Sequence, residues 1–164
     1  MAVMLDAYGR IMDGKEKRVI NNALPKPGEP TYLGWHFTLP KYQAIFGKGY
    51  SAPPNKTVRL YFPKNAHPLM CVSGLHSSDT LYDAVNCVTT DYYWLSRTIS
   101  WGNSTPYERQ KRATLARRTL WTVYYQPALV AYREIAETAA ECAEWYDAFE
   151  RWLLANYQQY TVLP

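Results

Sequence analysis

Two histidines and a cluster of arginines are the side chains of this sequence best suited to chemistry. His36 stands in Gly34-Trp-His-Phe-Thr38 and His76 in Ser73-Gly-Leu-His-Ser-Ser-Asp79, each in a short aromatic or glycine setting rather than on a helix face. A pair of neutral imidazoles can hydrogen-bond a sugar or a phosphate, or pass a proton. His67, in a loop before Pro68, has no such setting. Upstream of His76 an apolar run (Leu69, Met70, Cys71, Val72) stops at Ser73-Gly74. Ser77, Ser78 and Asp79 then occupy the place of a helix N-cap, and Leu81, Ala84, Val85 and Val88 recur at helical spacing. Strand, glycine turn, polar tip and helix in that order would present a side chain and unpaired helix N–H groups to a ligand. The same order also suits a plain tight connection, with Gly74 supplying backbone freedom and His76 on the surface.

The second candidate is the basic segment carrying Arg109, Lys111, Arg112, Arg117 and Arg118. On a helix over residues 107–125, these cations would suit a phosphate backbone or an acidic protein surface, or form an ordinary solvated face. Other chemistries lack their motifs. Gly-Leu-His-Ser-Ser is no nucleophile elbow, and neither a P-loop nor a dinucleotide-binding glycine fingerprint is present. Three histidines and three cysteines do not fall into metal-ligand spacings, so no metal site is expected.

The elements that must position these groups can be read in order. Residues 1–30 form an N-terminal arm ending in the proline-rich linker Leu24-Pro-Lys-Pro-Gly-Glu-Pro30, or an element that packs on the core from outside. Residues 31–164 form one domain. Its expected strands are residues 31–38, 57–62, the Cys71 run and 90–101, with a helical turn at 41–46 and a short helix at 79–88. A long amphipathic helix is expected over 128–157, with Tyr132, Ile135, Ala139, Cys142, Tyr146, Phe149 and Leu153 as its apolar stripe. Strands first and helices last predict an α+β domain with a small, mostly antiparallel sheet.

At 164 residues the chain is long enough for a real core. Tyr 15 and Trp 6 are an excess that raises the odds of a partner surface, because such rings serve interfaces as well as cores. A formal charge of +4 permits nucleic-acid or acidic-protein partners without requiring them. Cys71, Cys87 and Cys142 are widely spaced in apolar settings, as reduced buried thiols are. With no signal-peptide pattern and no stretch of membrane-spanning length, the expectation is a cytoplasmic protein without a membrane partner.

Gly34-Trp-His-Phe37, Pro68-Leu-Met-Cys71, Ser73-Gly-Leu-His-Ser-Ser78 and Asp83-Ala84 resemble a family of uncharacterised phage and prophage proteins with a W-H-F … L-C-x-x-G-L-H-A-S … D-A signature. Arg97 to Gly102 and Lys111 to Trp121 are similar to the basic run of that family. The resemblance spans roughly residues 31–141. It implies a phage accessory protein in the host cytoplasm that binds and inhibits a host protein or ribonucleoprotein complex, plausibly as counter-defence of the anti-CRISPR kind, with no cofactor. The basic segment, with nucleic acid as a further partner, would be its contact surface.

Trp35-His-Phe-Thr with Gln43-Ala-Ile-Phe-Gly-Lys-Gly49, and Gly74-Leu-His-Ser-Ser-Asp79, are also similar to the first two motifs of ADP-ribosyltransferase-like folds. His76 stands where most members have tyrosine, as in the two-histidine branch that includes RNA 2′-phosphotransferases. That resemblance implies a nucleotide binder or transferase using NAD, with His36 and His76 as catalytic residues and Trp35, Gly74, Ser77 and Ser78 lining the ligand. The third-motif glutamate has no strand-borne match; Glu108 is the nearest candidate.

Overall fold

The computed structural model describes residues 17–43, 51–61, 68, 74–87, 94–123 and 136–157. In chain order these carry β1 (Lys17–Asn21), β2 (Thr31–Thr38), a 3-10 turn (Pro40–Tyr42), β3 (Thr57–Tyr61), β4 (Leu75–Ser77), α1 (Leu81–Val85), β5 (Trp94–Trp101), β6 (Arg112–Thr114), β7 (Ala116–Val123) and α2 (Ala139–Tyr157). The strands pair antiparallel in a five-stranded sheet ordered β1-β3-β7-β5-β2, with β4 and β6 as a separate pair. This is the α+β architecture that the order of strands and helices predicts.

The largest departure lies at residues 107–125, expected as a basic helix. Residues 107–123 form a tight hairpin turn followed by β6 and β7, and residues 124–125 lie outside the described residues. Thr114, Thr119, Thr122 and Val123 are β-branched and Trp121 is aromatic, so the stretch fits a pleated sheet as well as a helix. Tertiary pairing decides: β7 fills the place between β5 and β3 and supplies ladder partners to both. At the turn Arg109 and Gln110 adopt φ 48 and 66, and Glu108 and Lys111 exchange backbone hydrogen bonds of 3.1 and 3.0 Å. Two left-handed central residues match the twist of antiparallel strands.

Smaller differences concern boundaries. α1 is capped by Thr80, whose hydroxyl accepts from the Asp83 N–H at 3.1 Å, rather than by residues 77–79. Within the N-terminal segment, Lys17–Asn21 form β1, an edge strand paired with β3. Residues 1–16, the Cys71 strand, residues 90–93 and residues 128–135 lie outside the described residues.

The period-2 alternation of β2 sends Trp35 and Phe37 to one face of the sheet. There they meet Leu95, Ile99 and Trp101 of β5, Leu120, Trp121 and Val123 of β7, and the buried stripes of both helices. Leu120 is the extra residue at a bulge, where the partners of Arg97 and Thr98 are Trp121 and Thr119. Trp35 is 0% exposed and meets Trp121 edge to face at 5.6 Å.

A polar tie holds this apolar layer in register. The Trp35 indole N–H donates to Glu150 of α2, and the same carboxylate oxygen accepts from the Leu81 N–H, at the start of α1, at 3.1 Å. The Arg97 guanidinium lies 4.6 Å from the Trp35 ring centroid and donates to the Gly34 carbonyl at 3.3 Å. Burial lowers the pKa of Arg97, and the Glu150 charge opposes that. Glu150→Ala leaves two donors without an acceptor and a buried cation without its countercharge. The expected cost is about 2–4 kcal/mol, read from a lowered urea midpoint at constant m-value. A change below about 0.5 kcal/mol would remove Glu150 from this role.

Candidate functional site

The opposite face of the sheet is polar. The alternation that buries Leu95 and Ile99 points Ser96, Thr98 and Ser100 the other way, and Thr38, Arg117 and Thr119 join them on β2 and β7. All six are buried. A second, smaller apolar cluster of Ala52, Val58, Leu60 and Leu75 fills the β3 side of this face and docks β4. Hydroxyls bridge the rest: Ser96 and Thr122 lie 3.0 Å apart, Ser77 and Ser100 3.4 Å, and Thr119 donates to the Ala52 carbonyl at 2.7 Å. Thr38 Oγ1 and Thr98 Oγ1 have no partner among the described residues. Buried polar atoms are rarely left so, which makes the layer a place to look for a ligand.

A close backbone crossing brings the two histidines to this side. Trp35 and Ser78 exchange backbone hydrogen bonds of 2.8 and 3.0 Å. A Cβ on Gly34 would lie 2.9 Å from the Ser78 carbonyl oxygen and 3.4 Å from Ser77 Cβ. Only glycine lets β4 approach β2 this closely. β6 holds β4 from its other edge, with His76 opposite Ala113.

Arg117 is the centre of the site. It is 3% exposed and donates from Nη1 to the His76 carbonyl at 2.7 Å and from Nη2 to Ser51 Oγ at 3.3 Å. Its Nε has no partner, and no carboxylate pairs with it among the described residues. Burial, reinforced by the charge of Arg18, lowers its pKa to about 9, so it is still a cation at neutral pH. His36 is half-buried and makes no side-chain hydrogen bond among the described residues. Burial holds its pKa well below the ordinary value, helped by the charges of Arg117, His76 and Arg18. Burial likewise lowers His76 to about 4, helped by Lys111 and Arg117 and opposed by a backbone hydrogen bond at Gly74. Arg117 thus meets His76 through the histidine's backbone carbonyl, and the Arg117 charge bears on both neutral imidazoles.

No protein-family model, curated protein or solved structure matches this chain.

The other expected site residues are dispersed. Trp35 lies in the apolar core, on the face of β2 opposite His36. Gly74 has φ +93, and a Cβ there would meet Pro68 Cβ at 2.7 Å, so it shapes the entry to β4. Ser77 lines the hydroxyl layer. Ser78 is buried, its hydroxyl donating to the Gln110 carbonyl at 2.6 Å. The basic residues do not share a surface: Arg109 is exposed in the hairpin turn and Lys111 half-buried beside it. Arg112 lies 4.0 Å over the Tyr32 ring, with Asp79 at 3.4 Å, and Arg118 donates to Thr57 Oγ1 at 3.3 Å. Glu108 is exposed in the hairpin.

The site also holds residues that sequence reasoning passed over. Tyr42 donates to Thr122 Oγ1 at 3.2 Å, meets Trp94 edge to face at 5.1 Å, and sits with Lys41 at φ 60 and 63. Two successive left-handed non-glycine residues are unusual, and such strain gathers at ligand sites. Their sequence, Pro-Lys-Tyr, carries no signal of it. Among the described residues no cluster of His, Cys, Asp or Glu could hold a metal ion, and no helix is long and apolar enough to cross a membrane.

Neutral histidines make stability depend on pH. Between about pH 6.5 and 4 the unfolded chain binds protons that the folded His76 refuses, and the depressed His36 acts in the same direction. Their contribution is complete above pH 6.5 and is lost as pH falls, by at most about 1.4 kcal/mol per pH unit for each histidine. Urea midpoints are expected to drop from pH 7 to pH 5.5, and less so in His76→Gln. A His76 imidazole that titrates near 6.5 by NMR would contradict this.

Proposed function

We propose that this chain binds a phosphate-bearing ligand of the nucleotide class at His36, His76 and Arg117. The observation that carries the reading is the buried Arg117 guanidinium, with an unpartnered Nε and no carboxylate partner among the described residues, whose charge helps keep both imidazoles neutral. A cation in such a place is costly unless an anion joins it, and guanidinium suits the paired oxygens of phosphate. Neutral imidazoles and the nearby hydroxyls would complete the hydrogen bonds of a phosphate and an adjoining sugar. His36 is the group best suited to transfer a proton, since no hydrogen bond occupies it among the described residues. The two-histidine motifs resembling ADP-ribosyltransferase-like folds make NAD and ADP-ribose the first ligands to try.

Calorimetric titration of both ligands is expected to show binding that weakens at least tenfold in His36→Ala and in Arg117→Met. Because His36 makes no side-chain hydrogen bond among the described residues, His36→Ala should change stability by less than about 1 kcal/mol. Wild-type affinity in both variants would refute this site.

A second reading, a phage-type inhibitor of a host macromolecule, draws support from a different surface. The basic helix on which it rested is absent, since Arg117 is buried within β7. On α2, however, Trp145, Phe149 and Trp152 stack in succession at 5.4 and 5.7 Å, and Trp152 is 53% exposed. Exposed aromatic rings dominate interface energetics. Loss of co-purifying host protein in Trp152→Ser, with NAD binding unchanged, would favour this reading.

A further inference from the structure

We propose that a second, open surface of this chain binds single-stranded nucleic acid, with Arg59 and Arg118 on its phosphates and the Tyr61 ring stacked on a base. The surface lies on the helix side of the sheet, at the β1–β3 end, and is independent of the anion site around Arg117.

The sheet register places these three residues together. Arg59 and Tyr61 alternate along β3 with the buried Val58 and Leu60, which cluster with Leu75 of β4 on the opposite face. Arg118 is paired with Thr57, two residues before Arg59, so the two arginines are diagonal neighbours on one face. The core cluster under the helices draws its strand residues from β2, β5 and β7, and none from β1 or β3. At this end the sheet therefore runs on past the helices. Arg59 and Arg118 are half-buried, and Tyr61 is 46% exposed.

Charge is segregated in the same way. β1, β3 and β7 together carry five cations and no carboxylate, whereas α2 carries four carboxylates and one arginine. Among the described residues no carboxylate pairs with Arg59 or Arg118. Arg118 makes one bond, to the Thr57 hydroxyl at 3.3 Å, and the Arg59 guanidinium lies 5.5 Å from the Tyr61 ring centroid. Each guanidinium keeps N–H donors for a further acceptor. Unpaired guanidinium groups on an open face suit phosphate oxygens, and the charge alone would also suit an acidic protein. The ring favours nucleic acid. A tyrosine standing on a pleated sheet beside an arginine is a platform for an unstacked base, which a single strand offers and a duplex withholds.

The test follows the fluorescence anisotropy of a labelled oligouridylate of about 12 nucleotides, titrated with the full chain at several salt concentrations. Binding is expected to weaken as salt rises. The log–log slope should lose about 0.7 in magnitude in Arg59→Ser and in Arg118→Ser, and Arg59→Lys should keep it. Tyr61→Ser should weaken binding at least fivefold without changing the slope, and Tyr61→Phe, which keeps the ring, should match the full chain. Absence of salt-dependent binding by the wild-type chain would overturn the proposal. So would a duplex bound as tightly as the single strand, with no effect of Tyr61→Ser. A polyglutamate peptide bound as tightly as the oligonucleotide would reassign the surface to an acidic protein. Excess ADP-ribose should not displace the oligonucleotide; displacement would put its phosphates at Arg117, overturning this surface and leaving the anion site in place. Failure of ADP-ribose to bind at all removes the anion site and leaves this surface standing.

Discussion

One backbone crossing sets the arrangement of everything around it. β4 passes over β2 at Gly34 so closely that the Ser78 carbonyl lies 2.9 Å from where a Cβ would be. From that contact follow the Trp35–Ser78 hydrogen bonds, the meeting of Ser77 with Ser100, and the Arg117 bond to the His76 carbonyl. On the reverse side of the same strand, Trp35 is gripped by Glu150. β2 is therefore fixed from both faces, by backbone on one and by an indole–carboxylate bond on the other. A side chain at Gly34 would separate the layers and with them the two histidines.

The two faces of the central sheet solve opposite problems. Toward the helices the buried residues are largely apolar, and the buried Arg97 is met by an aromatic ring, a carbonyl and a nearby carboxylate. Toward β4 the sheet carries serine, threonine and arginine in places where a stability-driven design would put valine and leucine. Hydroxyl-to-hydroxyl bonds satisfy part of this layer and leave Thr38, Thr98 and Arg117 Nε without partners among the described residues. That asymmetry, more than any single residue, separates the polar face from an ordinary core.

Fold class was legible because β2 and β3 alternate cleanly and the apolar stripe of α2 keeps helical spacing, so local pattern and tertiary need coincide there. Residues 107–125 misled because a cluster of basic residues after a proline resembles a helix start, while threonines and tryptophan suit a strand equally well. Only the vacancy between β3 and β5 decides between them, and that is not a local property. His36 and His76 could be singled out by their settings, but their partner could not. Arg117 reads as one cation among several, and its burial depends on which parity of β7 faces β4. β1 was harder still, since it consists of five residues after a segment without a clear pattern. Left-handed Lys41 and Tyr42 have no sequence signature, because the surrounding contacts impose that conformation on residues that do not prefer it.

The indole–carboxylate bond between Trp35 and Glu150 joins residues 115 apart in the chain. Translation therefore delivers the described strands before it delivers α2, which packs over them. While the last helix is still within the ribosome, α1 is, among the described residues, the one helix that covers the apolar side of β2, β5 and β7. Contacts of such long sequence separation also form slowly once the chain is complete. Until α2 has been made, that partly uncovered apolar face is a surface on which the nascent protein can aggregate.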